Sequence, residues 1–329
     1  MDIKYSTSEM GFEGYFPVNY PNLRVLETQL LYLEAYHLPI QKIITEGKTY
    51  KGSLLYNIGK GDFEKPYISD LYHNYHNIVG LLQEKFEGVY IYQDGEIGWW
   101  NQVDTRLQAW WYNQLRAASG ILVPNSTDVS FYKGLFPDKE IKVIRSVMTD
   151  EGLDKSKFKP KENRTLITGP LTREYNGFSQ LLLAHNLDMP VDIPPMGESR
   201  MPKDSWEMAD NLGVNYLQYM TWAEWMYNLS RYKIGYMMSS ATASGSFALN
   251  CAYLGIPCIG YDDINTQKDL FPDLSIKRGD IQHARRLANN LVQNDDFYNR
   301  VSTKAKELYN ELYKEDKFLE KWEKIKSHL

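Results

Sequence analysis

The chain has 329 residues, 43% of them hydrophobic, enough for two cores of about 150 residues each. Its net charge is −5, with 14 basic against 18 acidic residues in 1–150 and 23 against 24 in the remainder. Neither half carries the basic excess that drives tight binding to a nucleic-acid backbone. No run is long and apolar enough for a membrane span, and the opening MDIKYSTSEMGFEGY lacks the apolar core of a signal peptide. Cys251 and Cys258 sit in one helix-to-strand segment and read as small buried residues, so the expected setting is cytoplasmic.

From the amino end, DIKYS reads as a strand, followed by a loop holding Gly11 and Gly14 and closed by Pro17 and Pro21. Residues 22–36 carry apolar side chains at helical spacing. SLLYNIG reads as a strand, and SDLYHNYHNIVGLLQEKF as a helix capped by Ser69 or Asp70. GVYIYQDGE reads as a strand ending in an acidic loop, QLRAASGILVPN as a helix and then a strand, and KEIKVIRSV as a further strand. Residues 149–164 are charged, contain Gly and Pro, and read as a linker. Residues 298–329 read as one long helical stretch, with Phe318, Leu319, Trp322 and Ile325 on one stripe near its end. Short apolar strands alternating with amphipathic helices predict an α/β fold with parallel sheets.

The most informative segment is RYKIGYMMSSATASGSFALNCAYLGIPCIGYDD, residues 231–263. It reads as strand, small-residue turn, helix, Gly-x-Pro, strand, with Gly255 as the helix stop and Pro257 blocking further helix. A small-residue turn feeding a helix N-terminus is an anion site: unpaired N–H groups and the positive helix end converge, and glycine permits close approach. Ser244, Gly245 and Ser246 are therefore candidate contacts for the diphosphate of a donor.

This segment resembles the donor-binding end of nucleotide-sugar glycosyltransferases with the GT-B fold, of the family 4 type in the C-terminal domain. RTLITGPLTREYNGFSQLLLAHN resembles the first strand, loop and helix of that domain, with Arg173 in the basic position of the loop. PVDIPPMGESR resembles the next strand, with the Gly-x-x-Arg ending that contains Arg200. LGVNYLQYMTWAEWMYNLSRYKIGY resembles the strand and helix leading into the donor loop. The opening STSEMGFEGYFPVNYPN, followed by an Arg-x-x-Glu-Thr helix start, is similar to phage-type glycosyltransferases.

The resemblance implies two Rossmann-like domains facing each other across a cleft. Residues 1–155 would form the acceptor side, 156–310 the donor side, and 311–329 a terminal helix crossing back to the first domain. It implies that Arg173 and Arg200 clamp the diphosphate, that Tyr219 and Met220, ending the strand YLQYM, read the base, and that Asn250 bonds a ribose hydroxyl. Retaining members often carry two glutamates in this region; Thr242 and Asn250 occupy those positions here, so neither is a carboxylate.

Asp94, in the acidic loop that follows the apolar strand VYIY, is the candidate base for an acceptor hydroxyl, with Glu96, Glu9 and Glu13 as competitors. Trp99, Trp100, Trp110 and Trp111 cluster after that loop and are divided between core packing and the acceptor side. His73 and His76, near Asp70, have metal-ligand spacing but no further cluster, so no metal is expected. No P-loop or GxGxxG fingerprint is present. The expectation is a metal-independent glycosyltransferase using a nucleoside-diphosphate sugar, UDP-sugar first, as co-substrate with no cofactor, and an acceptor bearing a free hydroxyl. The alternatives are a DNA glycosyltransferase acting on hydroxymethylated bases, a non-catalytic sugar-nucleotide binding module, and a sugar-nucleotide epimerase on the same fold.

Overall fold

The computed structural model describes residues 3–7, 12–17, 20, 25–58, 78–93, 105–169, 171, 175–194 and 203–326. The chain forms two compact units, one of residues 1–20, 26–145 and 318–329, the other of 21–25 and 146–317.

In the first unit the strands are β1 (Lys4–Thr7), β2 (Gly14–Tyr15), β3 (Tyr36–His37), β4 (Ser53–Asn57), β5 (Gly88–Tyr92), β6 (Gly120–Val123) and β7 (Glu140–Val143). They lie in the order β2-β3-β1-β4-β5-β6-β7, parallel except for the β2–β3 pair. Every residue of β5 and β6 is buried, which is why these strands read as unbroken apolar runs: a parallel sheet is covered on both faces. The helices are α1 (Val25–Tyr32), α2 (Ile40–Thr45), α3 (Ile78–Gln83), α4 (Thr105–Ala117) and α5 (Ser126–Leu135).

The helix expected over 22–36 stops at Tyr32. Glu34 takes the left-handed conformation (φ 47°), Ala35 N donates to Leu30 O (3.0 Å) and Glu34 N to Leu31 O (3.0 Å). That is a Schellman stop made without glycine, so apolar spacing alone does not reveal it. The stop releases Tyr36 and His37 into β3. Trp110 and Trp111 are both buried, edge to face at 6.0 Å between centroids, so both belong to the core. Trp111 Nε1 also donates to Gln93 Oε1 (3.0 Å), which ties down the residue that closes β5.

In the second unit the strands are β8 (Thr165–Ile167), β9 (Val191–Ile193), β10 (Asn215–Tyr216), β11 (Ile234–Met237), β12 (Cys258–Tyr261) and β13 (Ser275–Ile276). All pairings are parallel, in the order β10-β9-β8-β11-β12-β13. Counted within the unit, this is the doubly wound order 3-2-1-4-5-6, with its reversal between β8 and β11. The helices are α6 (Gly177–His185), α7 (Lys203–Asn211), α8 (Trp222–Leu229), α9 (Ser246–Leu254), α10 (Asn265–Leu270), α11 (Ile281–Gln293), α12 (Asp295–Leu312) and α13 (Glu315–Lys326), the last lying mostly in the first unit. The stop at Gly255 is as expected: φ is 63°, and Ile256 N donates to Cys251 O (2.8 Å).

Three expectations are corrected. YLQYM is not a strand to its end: β10 covers only Asn215–Tyr216, and Glu224 reaches back to Thr221 N (2.9 Å) to start α8. Tyr219 and Met220 therefore lie in a loop. Residues 149–164 are not a free linker. Asp154 N donates to Tyr227 Oη (2.8 Å), Lys159 N to Ser230 Oγ (2.7 Å) and Glu162 N to Arg231 O (2.7 Å), so the stretch is fastened to the second unit. The terminal stretch is two helices. Tyr313, 1% exposed, breaks it by entering the second core with its hydroxyl on Asp269 Oδ2 (2.8 Å).

The amino edge of the second sheet carries a closed ionic network. Asp192, fully buried in β9, accepts from Arg164 Nε (3.1 Å) and Nη2 (2.5 Å), from Arg231 Nη2 (3.4 Å) and from Asn215 Nδ2 (3.4 Å). The Tyr232 hydroxyl also donates to Asp192. Burial, and then the carboxylate, push the Tyr232 phenol well above its ordinary range. The Asp192 hydrogen bond holds the Arg164 guanidinium above its own. A buried carboxylate is tolerated when each lone pair is met by a donor.

Candidate functional site

In an open α/β sheet, ligands bind outside the carboxyl ends of the strands where the strand order reverses. Here that place lies between the loops after β8 and β11. The first loop turns at Gly169 (φ 79°), where a Cβ would stand 2.5 Å from the Tyr175 ring. It ends at Asn176, left-handed at φ 49°, immediately before α6. The second runs through 238–245, mostly small residues, and ends at Gly245 (φ 70°) before α9. No side chain among the described residues caps either helix. In α9 the bond from Leu249 N to Gly245 O (3.2 Å) opens the helical ladder. The N–H groups of Ser246, Phe247 and Ala248 precede it and have no partner inside the helix.

The carbonyls of the second loop are met by side chains from elsewhere in the unit. Asn176 Nδ2 donates to Met238 O (3.1 Å) and to the Tyr261 hydroxyl (3.3 Å), joining the two loops at the reversal. Arg278 Nη1 donates to both Ser239 O and Ser240 O (2.8 Å each). Its Nε and Nη2 donate to Asp263 Oδ2 (2.8 and 2.5 Å), and its guanidinium lies 4.6 Å from the centre of the Tyr261 ring. Ser146 Oγ donates to Ser244 O, and Thr266 Oγ1 to Gly245 O (2.9 Å). Burial holds the Tyr261 phenol above its ordinary value, so it stays protonated. With these carbonyls engaged, the helix N-termini are left facing the edge as donors, an arrangement that suits an anion.

Ser244, Gly245 and Ser246 lie in this loop as expected, but the glycine has a packing reason of its own. A Cβ at Gly245 would stand 1.8 Å from Thr266 Oγ1 and 2.8 Å from Ile264 Cγ2. Any substitution there disturbs the loop whether or not a ligand binds it. Asn250 is 5% exposed, with its amide oxygen toward Trp225 Nε1 and its nitrogen toward Ser246 O, each at 3.1 Å. Thr242, its counterpart in the sequence comparison, is also buried. Tyr219 is 68% exposed in the β10–α8 loop, and Met220 Sδ accepts from Asn228 Nδ2 (3.5 Å).

Arg173, Arg200 and Asp94 lie outside the described residues, as do Glu9, Glu96, Asp70, His73, His76, Trp99 and Trp100. The described chain reaches Gln93, whose N–H donates to Leu122 O (2.9 Å) at the carboxyl end of β5. Glu13 is held by Lys42 Nζ at 2.7 and 2.6 Å, and the Tyr36 hydroxyl donates to it at 3.3 Å. The bond to Glu13 raises the Lys42 ammonium above its ordinary value.

Sequence reasoning did not single out Asn176, Tyr261, Asp263, Thr266 or Arg278. Arg278, like Arg173 and Arg200, is an arginine just past a strand of this unit, but no resemblance marked it. The two-residue β13 that precedes it was too short to read. Among the described residues, no three of His, Cys, Asp and Glu gather as a metal site. A cavity of about 280 Å³ lined by Pro190, Val191 and Leu212, among others, lies at the amino end of β9, away from the reversal's carboxyl edge.

No protein-family model matches the chain, and no curated protein matches it. Solved structures do. Sucrose-phosphate synthase from Thermosynechococcus elongatus is similar at TM-score 0.62 and 11% identity, over 83% of this chain and 72% of that one. TarM of S. aureus, in complex with fondaparinux, alpha-GlcNAc-glycerol and UDP, is similar at TM-score 0.60 and 14% identity, over 83% and 55%. The chain thus matches about half the length of TarM. An alpha-glucosyltransferase in complex with UDP and a 13-mer DNA containing a HMU base is similar at TM-score 0.57 and 11% identity, over 89% and 85%. These likenesses, together with the two parallel sheets, show that the chain has the GT-B fold of glycosyltransferases.

Proposed function

We propose that the chain is a glycosyltransferase that moves a sugar from a nucleoside-diphosphate sugar, with UDP as the nucleotide, to a hydroxyl acceptor. The observation that carries this reading is the pair of uncapped helix N-termini, α6 and α9, at the strand-order reversal of a GT-B donor-type sheet. Negative charge grows on the diphosphate as the sugar leaves. Preorganised N–H groups at a helix start stabilise that charge without reorganising. Arg173 and Arg200 supply the cations in this reading, so the reaction needs neither a metal nor a cofactor. Tyr219 and Met220 read the base. Asn250 braces Ser246 and, through it, the diphosphate loop. Asp94, next after Gln93, takes the proton of the acceptor hydroxyl. The two free thiols, Cys251 and Cys258, fit a cytoplasmic setting.

The test is a panel of UDP-, ADP- and GDP-sugars, each assayed with magnesium and with EDTA. Thermal shift reads binding, and release of the nucleoside diphosphate reads turnover. A UDP-sugar at a hundred times its dissociation constant should add about 2.7 kcal/mol of stability. The shift should be equal in magnesium and EDTA. No shift with any nucleotide rejects the reading, and a shift only with magnesium rejects the metal-free part. Binding without turnover on any acceptor would leave a sugar-nucleotide binding module.

A second reading has DNA as the acceptor. It is favoured by the alpha-glucosyltransferase bound to HMU-containing DNA, whose likeness covers 89% of this chain and 85% of that one. The net charge of −5 opposes it. Label from UDP-sugar appearing on a hydroxymethylated duplex, and not on an unmodified one, would establish it.

A further inference from the structure

We propose that Arg278 is a positioning residue for the donor diphosphate, acting through the 238–245 loop rather than by touching the phosphates. The proposal rests on the glycosyltransferase reading and names a residue that reading does not require. Arg278 follows β13, two strands away from the reversal, yet its donors reach back to the end of β11. One guanidinium nitrogen bridges the consecutive carbonyls of Ser239 and Ser240, while the other side of the fork is held by Asp263. The plane of the fork lies over Tyr261, whose hydroxyl is joined through Asn176 to the next carbonyl back, Met238 O. Three successive carbonyls are thereby fixed by two side chains that share one tyrosine.

The chemistry of this arrangement favours an anion nearby. Carbonyl oxygens repel a diphosphate, and each of these is turned onto a donor. The Asp263 charge is paired with the same arginine, so the acid does not repel the ligand either. Four of the five guanidinium N–H groups are accounted for by these bonds, so Arg278 has little left with which to contact phosphate directly. Its role is geometric and depends on the planar fork, which lysine lacks.

Lys277 is the internal control. It is adjacent, carries the same charge, has an 83% exposed side chain, and among the described residues pairs only with Asp262. A purely electrostatic role would be shared by both residues; a positioning role would not.

The experiment uses the full chain and two probes, UDP and inorganic pyrophosphate, titrated against wild type, Arg278→Ala, Arg278→Lys and Lys277→Ala. Removing charge-assisted bonds should weaken UDP by roughly tenfold to a hundredfold in Arg278→Ala. Pyrophosphate should weaken by the same factor, because the diphosphate is the part being positioned. Arg278→Lys should fail to restore affinity, and Lys277→Ala should bind within about twofold of wild type. If Arg278→Ala does not fold, the lysine variant carries the test, since it keeps the charge. Equal weakening in Arg278→Ala and Lys277→Ala, or recovery by Arg278→Lys, overturns positioning in favour of simple charge. Unchanged binding in every variant overturns the proposal and leaves the glycosyltransferase reading intact. Failure of the wild type to bind UDP, ADP or GDP overturns both, and is distinguished by appearing before any substitution.

Discussion

The two edges of the second sheet use arginine and aspartate in opposite ways. At the amino edge, Arg164 and Arg231 close on the buried Asp192, and Tyr232 and Asn215 complete its shell. In that network the charged donors converge on one fully buried carboxylate. At the carboxyl edge, Arg278 pairs with Asp263 and spends its remaining donors on loop carbonyls, with its side chain 39% exposed. Among the described residues, that network leaves the backbone N–H groups at two helix starts without a side-chain cap. An ion pair that ends in itself contributes to stability or specificity, whereas one that ends on a loop sets the shape of that loop.

Four substitutions would break or sharpen this contrast. The largest effect is expected for Asp94→Asn, which keeps shape and removes basicity. Transfer should fall by about 10²–10⁴-fold while UDP affinity stays within a few-fold, read from initial rates and titration. A variant transferring at near wild-type rate would remove Asp94 from the chemistry, and Glu9, Glu13 or Glu96 would then be tested, Glu13 against its existing ion pair with Lys42.

Next is Asp192→Ala at the amino edge. Two arginines and a phenol lose a shared buried partner, and breaking such a site costs about 3–5 kcal/mol. For a unit of this size, that corresponds to a drop in melting temperature of roughly 6–20 °C. UDP affinity of the folded fraction should be unchanged. A loss of affinity larger than about threefold would show that the two edges are coupled, and would count against the contrast.

Ser246→Glu at the carboxyl edge should give the reverse pattern. A carboxylate in the first turn of α9 favours the helix by about 0.3–1 kcal/mol. The same charge repels a diphosphate, so UDP should bind roughly tenfold to a hundredfold more weakly. Stability and affinity moving in opposite directions is the signature sought, measured by denaturant melts and titration. Ser246 is the better position than Gly245, where any side chain would clash with Thr266 whether or not a ligand is bound.

The smallest effect is expected for Asn250→Asp. The amide nitrogen that faces Ser246 O at 3.1 Å becomes an acceptor, which sets oxygen against oxygen in a site 5% exposed. Stability should fall by about 1–3 kcal/mol and UDP affinity by a few-fold, as the loop loosens. An increase in transfer would instead assign a carboxylate role to this position.

Much of this fold is legible in linear order. The segment 231–263 shows its strand, turn, helix stop and next strand because Gly255 and Pro257 are local signals that act within a few residues. The buried strands β5, β11 and β12 are legible because a parallel sheet demands continuous apolar runs. The misreadings fall where the usual local signal is missing or the deciding contact is remote in sequence. The helix stop at Glu34 has no glycine. Residues 149–164 look like a linker because their polar backbone is satisfied by Tyr227, Ser230 and Arg231, which are distant in the chain. The split at Tyr313 depends on a pocket beside Asp269.

The site divides along the same line. Residue types and spacing determine by themselves that a small-residue turn opens α9 and that its first amides have no partner in the helix, because helix geometry requires it of any such start. Only the folded unit decides what surrounds that turn. It brings Asn176, Thr266, Arg278 and Ser146 onto the carbonyls of 238–245, across 62 residues for the Asn176–Met238 bond and 98 for the Ser146–Ser244 bond, with Tyr261 bonded to Asn176 and Asp263 to Arg278. No periodicity encodes that meeting. It follows from parallel strands ending at one edge, which places the loops after β8, β11, β12 and β13 side by side.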